Sequence, residues 1–175
     1  MFISQRLQDM LSKQITLEFS AHIQYLAIAH YFESMSLDRL ADFFYTQAEE
    51  EKIHGLKIVH FLGEAGAAIT FEGLPAPKQG FASPEEAAEK FFEQEKANTD
   101  SFYAMQNVAD EEKDYIARNF LVWFINEQLE ELATATKLLD MVRMSGDNML
   151  MVEMMVPDLM AAMGGGGEAA DAGAA

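Results

Sequence analysis

The chain has no cysteine among its 175 residues. A disulfide framework, a zinc site with thiolate ligands and an iron–sulfur cluster held by cysteine are therefore excluded. We expect any metal ion that this protein binds to take oxygen and imidazole ligands instead.

Basic residues are also few, since 12 Lys and Arg stand against 29 Asp and Glu, for a net charge of −17. Such a charge repels nucleic acid and anionic membranes and attracts cations, although it also serves solubility. The sequence has no run of about 18 apolar residues and no signal-peptide pattern at its start. We therefore expect a soluble, cytoplasmic protein with no nucleic-acid or membrane partner.

Glycine and proline lie mainly between four long segments in which apolar residues recur every three or four positions. The segments cover approximately residues 5–33, 38–63, 84–109 and 114–145. The second and third segments are separated by a long connection, and the other two connections are short. This pattern predicts one all-α domain over residues 1–163, a four-helix bundle with a single long crossover.

Several residues carry the signals of helix ends. Ser4 is suited to cap the first helix, and the sequence Ser83-Pro84-Glu85-Glu86 predicts an N-cap followed by a capping box at the start of the third. The polar residues 110–113 predict a turn, and Gly146 predicts the end of the fourth helix.

The C-terminal region has a different composition. Residues 148–163 are apolar and are interrupted by Pro157, and residues 164–175 form a Gly/Ala tail that we expect to be disordered. Eight of the twelve methionines lie from Met141 onward. A soft-metal or haem site is one interpretation, but adaptable apolar packing at a subunit contact is favoured.

Acidic residues recur in the middle of each predicted helix. Glu18 and Glu95 lie in the middle of their helices. Glu51 and His54 are three residues apart, and Gln128 and Glu131 have the same spacing. A carboxylate that faces a bundle core is costly unless a cation neutralises it. Oxygen ligands with one imidazole suit iron or manganese. The alternative is that these acids lie on solvated faces, but few basic residues accompany them.

Three segments carry a resemblance to a known family: YLAIAHYF at 25–32, FYTQAEEEKIH at 44–54 and WFINEQLEE at 123–131. With them, the chain resembles a bacterial non-haem ferritin over residues 1–163. The resemblance implies a ferritin-like bundle with residues 148–163 as a short fifth helix. It also implies a shell of 24 identical subunits that oxidises Fe(II) with dioxygen or peroxide and stores the Fe(III) mineral.

The resemblance also implies roles for individual residues, with two iron ions per chain at a ferroxidase centre and a third site beside them. Glu51 corresponds to the carboxylate that bridges the two ions. Gln128 corresponds to a ligand-orienting glutamine, and Tyr25 to a tyrosine that hydrogen-bonds the centre. The other ligands of the two ions correspond to Glu18, His54 and Glu95, and the acids of the third site to Glu50, Glu127, Glu130 and Glu131.

Departures from related families narrow the assignment. Bacterioferritins have a second Glu-x-x-His pair, which is replaced here by Gln128 and Glu131, and a haem-binding methionine where this chain has Lys52. No haem is therefore expected. Arg118 and Leu121 occupy the positions of the pore acids of animal ferritins, so the route of iron entry stays open.

Two other functions remain as alternatives. The first is a storage shell that binds iron without catalysis, which Glu51 and His54 disfavour. The second is a di-iron or manganese oxygenase acting on an organic substrate, which the single histidine disfavours. Two further residues are ambiguous: His22 could support the site from one turn beyond Glu18, and Trp123 is interpreted as core packing rather than an electron relay.

Overall fold

The computed structural model describes residues 2–163, so the predicted disordered tail lies outside the described residues. These residues form five α-helices and no strand. The helices are α1 (Gln5–Ser34), α2 (Asp38–Glu64), α3 (Pro84–Glu112), α4 (Tyr115–Ser145) and α5 (Met149–Met163). Helix α1 packs along α2 and α3 along α4, α1 also contacts α3, and α5 lies against α2 and α4. The predicted all-α bundle with one long crossover is confirmed. None of the described helices is long and apolar enough to cross a membrane.

The helix starts agree with the capping signals. The Ser4 hydroxyl accepts a hydrogen bond from the Leu7 N–H, and the Ser83 hydroxyl accepts one from the Glu86 N–H. The carboxylate of Glu86 accepts from the Ala82 N–H rather than from the N-cap residue itself, so the capping box closes one residue earlier than its usual form. The start of α3 is thus stabilised by two side chains, the Ser83 hydroxyl and the Glu86 carboxylate.

Two predictions about helix ends are wrong. Helix α3 does not end near Ala109 but continues to Glu112, because polar residues alone do not stop a helix. It ends at Lys113, whose φ of 54° is left-handed. Helix α5 continues through Pro157, which was expected to interrupt it. Val156 and Leu159 on either side are buried in the core, and this packing outweighs the missing backbone donor.

A glycine inside α2 permits close contact between the first two helices. A β-carbon at Gly55 would lie 3.0 Å from the ring of Phe19, a distance that real β-carbons rarely reach. Because Gly55 has no side chain, α2 can pack closely against α1 at the residue that follows His54.

The core consists of two apolar clusters separated by a polar layer. One cluster includes Tyr25, Phe32 and Phe91 with the buried face of α5, and the other includes Leu11 and Phe124. In each of the four long helices, buried polar residues lie between the two clusters. They include Gln14, Glu18, Glu51, His54, Glu95, Asn98, Thr99, Gln128 and Glu131. Among residues 2–163, the buried carboxylates are thus concentrated in the middle of the bundle.

Asp114 ties two helix starts together, because one carboxylate oxygen accepts from the Ala117 N–H at 3.0 Å and the other from the Ser4 N–H at 2.9 Å. We predict that Asp114→Ala lowers the free energy of unfolding by about 1–2 kcal/mol. Asp114→Asn, which keeps one oxygen, is expected to cost about half of that. Urea unfolding followed by circular dichroism measures both.

Asp100→Ala is the control for this pair of variants. Its carboxylate makes only an exposed ion pair with Lys96, so its loss is expected to stay within about 0.5 kcal/mol. Equal effects of Asp114→Ala and Asp100→Ala would contradict the capping role.

Candidate metal centre

Five ligand side chains from four helices meet in the polar layer. Glu18 comes from α1, Glu51 and His54 from α2, Glu95 from α3 and Glu131 from α4, and all five are buried. We call these five residues the carboxylate centre. Its ligand atoms form two overlapping groups, Glu18–Glu51–His54 and Glu51–Glu95–Glu131, and within each group they lie within 4.8 Å of one another. Glu51 is the residue that both groups share.

Helical periodicity accounts for this convergence. Residues three or four positions apart lie on one face of a helix, so Glu51 and His54 point to the same side of α2. On α1 the same face carries Leu11, Gln14, Glu18 and, two turns on, Tyr25. These faces pack against one another in the bundle, so the acidic side chains all point into its interior.

Several ligand atoms of the centre have no hydrogen-bond partner. The Oε2 atoms of Glu18, Glu51 and Glu95 and the Nδ1 atom of His54 are buried and unpaired. An unpaired buried carboxylate oxygen is strongly unfavourable. The convergence of such atoms in one place is the arrangement that a bound cation would stabilise, so the donor set fits a metal ion.

Burial and mutual repulsion shift the protonation of the acids. Burial, with the charge of Glu18 adding to it, raises the pKa of Glu95 to about 8, although the Tyr25 hydroxyl opposes the shift. Burial raises the pKa of Glu51 and Glu131 well above the usual range, and the nearby carboxylates push in the same direction. The pKa of Glu18 is also raised by burial, but hydrogen bonds oppose this. Binding of a metal ion at neutral pH is thus expected to release protons.

His54 is prepared to act as a neutral ligand. Burial lowers its pKa to about 4, and the positive charge of Lys57 contributes. The ring is uncharged at neutral pH, so a nitrogen lone pair is available to a cation. The nearest acid atom, Oε1 of Glu131, is 3.5 Å from Nδ1.

Two of the predicted supporting residues contact the carboxylate centre directly. The Tyr25 hydroxyl donates a hydrogen bond to Oε1 of Glu95, and burial together with the surrounding acids raises the pKa of this phenol well above its usual value. Gln128 donates through Nε2 to Oε2 of Glu131, while its Oε1 accepts from the Thr99 hydroxyl at 2.8 Å. Thr99 was not predicted; its place one turn after Glu95 on α3 is the signal that could have found it.

The remaining predicted acids lie at the edge of the centre. Glu50 is half-buried and accepts a hydrogen bond from Gln47, and burial with repulsion from Glu127 raises its pKa to about 7. Burial and the charge of Glu130 raise the pKa of Glu127, which is also half-buried, while Glu130 itself is exposed. Glu131, which the resemblance groups with these acids, is itself buried and lies in the carboxylate centre.

Two ambiguous residues have defined surroundings. Nδ1 of His22 lies 2.6 Å from the carbonyl oxygen of Ala48, so the imidazole links α1 to α2. Trp123 is only half-buried, with its ring centroid 5.4 Å from that of His54 and the amine of Lys57 4.0 Å above it. The indole thus covers the imidazole of His54 on the side of Lys57.

Comparison with known proteins agrees with this geometry. The ferritin-like domain family matches residues 8–145. The chain is 36% identical over 146 residues to the bacterial non-heme ferritin of Staphylococcus saprophyticus, covering 83% of this chain and 87% of that protein. It is 33% identical over 155 residues to ferritin BfrB of Mycolicibacterium smegmatis, covering 89% and 86%. The structure of an open pore ferritin from the archaeon Archaeoglobus fulgidus superposes with a TM-score of 0.85 at 29% identity, over 90% of this chain and 97% of that one. The resemblance seen in the sequence and the ferritin-like fold are both confirmed.

The raised pKa of Glu95 predicts how the stability of the metal-free protein depends on pH. The folded state holds a proton that the unfolded state loses above about pH 4.5, so this stability is present at low pH and is lost as pH rises towards about 8. Between pH 6.5 and pH 8 we predict that Glu95 contributes a loss of about 1–2 kcal/mol, measured by thermal unfolding after chelation as the difference between wild type and Glu95→Gln. His54 stays neutral across this range.

Glu95→Gln is expected to reduce this pH dependence by the share that Glu95 contributes, because the amide does not titrate while Glu51 and Glu131 keep their raised pKa values. Glu93→Gln, an exposed substitution on the same helix, is expected to leave it unchanged. A wild-type protein whose melting temperature rises from pH 6.5 to pH 8 would show that the prediction is wrong.

Proposed function

The chain belongs to the ferritin family, and on that premise we propose that it stores iron and oxidises Fe(II) at the carboxylate centre. The observation that carries the proposal is that Glu51 is shared by two overlapping ligand groups. A carboxylate shared in this way holds two ions about 3.5–4 Å apart. Two Fe(II) ions are then the substrates, and each has its own ligands besides the shared one.

The ligand set favours Fe(II) or Mn(II) over Zn(II). Each group offers carboxylate oxygens, and only one contains an imidazole, that of His54. Zinc sites more often use several histidines or cysteines, whereas oxygen-rich sets with one imidazole suit iron and manganese. The two positions are also unequal, since one binds through His54 and the other only through acids.

The oxidation needs two electrons, which two Fe(II) ions supply together. With dioxygen the balanced reaction is 2 Fe²⁺ + O₂ + 2 H⁺ → 2 Fe³⁺ + H₂O₂, in which each iron loses one electron and dioxygen gains two. With peroxide it is 2 Fe²⁺ + H₂O₂ + 2 H⁺ → 2 Fe³⁺ + 2 H₂O. Both reactions consume two protons, and acids with raised pKa values, such as Glu95, release protons when metal binds.

The neighbouring side chains orient the ligands during this reaction. Tyr25 holds one oxygen of Glu95 and Gln128 holds one oxygen of Glu131, so each carboxylate keeps its other oxygen for the metal. Both donors are uncharged at neutral pH, since the pKa of Tyr25 is raised. These two donors therefore orient the carboxylates of Glu95 and Glu131 without neutralising the negative charge that attracts the cations.

The acids at the edge of the centre offer a third position. Glu50 and Glu127 repel each other, and Glu130 adds its charge to Glu127. We infer that a third iron ion binds here, next to Glu131, and that Fe(III) leaves the centre by this side. The location of Glu50 and Glu127 between the buried centre and the surface supports both the third position and this exit.

The proposed storage form is a shell of 24 copies in the cytoplasm. Large apolar side chains that a single chain leaves exposed support such an assembly. On α5 they are Leu150, Met151, Met154 and Met155, and on the crossover Phe71 and Leu74. A shell of this kind has a mass close to 24 times the chain mass of 19.6 kDa.

The first test is aerobic Fe(II) titration of metal-free protein, with stopped-flow absorbance in the near ultraviolet. We predict a fast phase that ends at two or three irons per chain. Glu51→Ala removes the shared ligand and is expected to slow this phase by about 100-fold or more, since even outer ligand-orienting residues are worth 10- to 100-fold. Glu49→Ala, an exposed acid paired with Lys52, is the control and is expected to behave as wild type.

Light scattering on the same samples separates the alternatives. A large particle with slow, unbroken oxidation would favour a passive iron-binding shell. A single chain or small oligomer that binds two metals would favour an oxygenase on an organic substrate.

Tyr25→Phe tests the orienting role of the phenol. The ring contacts with Phe44 and Phe91 remain, and only the hydrogen bond to Glu95 is lost. We predict an oxidation rate about 10-fold lower with the same number of irons bound. Tyr45→Phe, which removes an exposed hydroxyl bonded to Glu33, is the matched control. Equal rates in Tyr25→Phe and wild type would remove Tyr25 from the mechanism.

A further inference from the structure

Gln14 is a buried glutamine that the proposed mechanism does not yet use. It lies one turn before Glu18 on α1 and is 0% exposed. Its Nε2 donates a hydrogen bond to Oε1 of Glu18 at 2.7 Å. The other oxygen of Glu18, Oε2, has no protein partner.

The far end of the Gln14 amide is fixed from another helix. The hydroxyl of Ser101 on α3 donates to Oε1 of Gln14 at 2.6 Å, and Oδ1 of Asn98 lies 3.4 Å from Nε2. If the amide flipped, its oxygen would face the Glu18 carboxylate, and its nitrogen would exchange that carboxylate for the Ser101 hydroxyl, a weaker acceptor. The contacts therefore hold Gln14 with its donor towards Glu18.

The same construction occurs on the opposite side of the centre. Gln128 donates to one oxygen of Glu131, and its own oxygen accepts from the hydroxyl of Thr99. In both cases a glutamine on the acid's own helix contacts a hydroxyl of α3, and the Thr99 hydroxyl is shared with the carbonyl oxygen of Glu95 at 2.9 Å. Gln14 with Ser101 thus repeats on α1 what Gln128 with Thr99 does on α4.

A purely structural role would not call for an amide at this position. Gln14 lies on the face that carries Leu7 and Leu11, where an apolar side chain of similar volume needs no hydrogen-bond partners. Asn98, which accepts from Gln14, leaves its own Nδ2 unpaired in the core. Both features cost stability, and neither improves the packing.

We propose that Gln14, anchored by Ser101, is a positioning residue that holds Oε1 of Glu18 and so presents Oε2 as a single ligand atom to a divalent cation at the Glu18–Glu51–His54 group. This inference rests on the proposed function of the centre. Without the amide, Glu18 is free to rotate or to bind through both oxygens, and the cation at this position is less well held.

The test uses Co(II) as a stand-in for Fe(II), because the visible spectrum of bound Co(II) reports ligand geometry. Full-length protein is titrated anaerobically, and the Fe(II) oxidation rate is measured in parallel. In Gln14→Met we expect the Co(II) affinity of one of the two positions to fall by about 10- to 100-fold, with an altered visible spectrum, and oxidation to slow by about 10-fold. Ser101→Ala is also expected to lower the Co(II) affinity and the oxidation rate, but by a smaller factor.

Gln24→Met is the matched control, because Gln24 is a buried glutamine on the same helix. Its amide makes two hydrogen bonds with the backbone of Lys78 in the crossover, at 2.8 and 3.0 Å. A loss of general packing would affect Gln24→Met and Gln14→Met alike, whereas a positioning role affects only Gln14→Met. Thermal unfolding of all variants checks that they fold.

Wild-type Co(II) affinities and spectrum in Gln14→Met would overturn the inference while leaving the proposed function intact. If the wild-type protein failed to bind two Co(II) ions and also lacked fast Fe(II) oxidation, the proposed function would be overturned, and this inference with it.

Discussion

Mutual repulsion among buried carboxylates is the interaction on which the rest of this structure depends. Glu18, Glu51, Glu95 and Glu131 share one layer of the bundle, and their pKa values are raised mainly because burial disfavours ionisation. Neighbouring negative charges raise the pKa values of Glu51, Glu95 and Glu131 further. The protein can relieve this repulsion with protons or with cations. If cations bind at the carboxylate centre as proposed, they relieve the repulsion at neutral pH and stabilise the folded state.

The two apolar clusters make this unfavourable layer possible. Each cluster packs all four long helices on one side of the polar layer, so the acids are held in position by side chains that do not depend on metal. The three donors that contact the acids, Tyr25, Gln128 and Gln14, are neutral at neutral pH. A lysine or arginine in their place would neutralise the acids permanently and displace the cations. The pattern therefore favours a centre that orients its ligands and leaves their charge to the metal.

Much of the fold follows from local signals that a sequence contains. The caps at Ser4 and Ser83 and the end at Gly146 were predicted because their side chains or backbone act within one turn. The errors at the end of α3 and at Pro157 arose where such signals are missing. The end of α3 is a left-handed residue at Lys113 whose N–H bonds to carbonyl oxygens of the last turn, and a lysine carries no signal for that conformation. The burial of Val156 and Leu159 depends on contacts with other helices, and no local pattern reports it.

The sequence by itself determined which side chains share a helical face, because a period of 3.6 residues sets the direction of each side chain around its own axis. Glu18, Glu51, His54 and Glu95 could be assigned to the bundle interior on that basis. The resemblance already implied that Glu51 is shared between two ions. Only the tertiary structure decided that Glu131 joins the centre and that hydroxyls of α3 contact Gln14 and Gln128. Periodicity leaves free how far each helix slides along its neighbours, and interhelical packing sets that height.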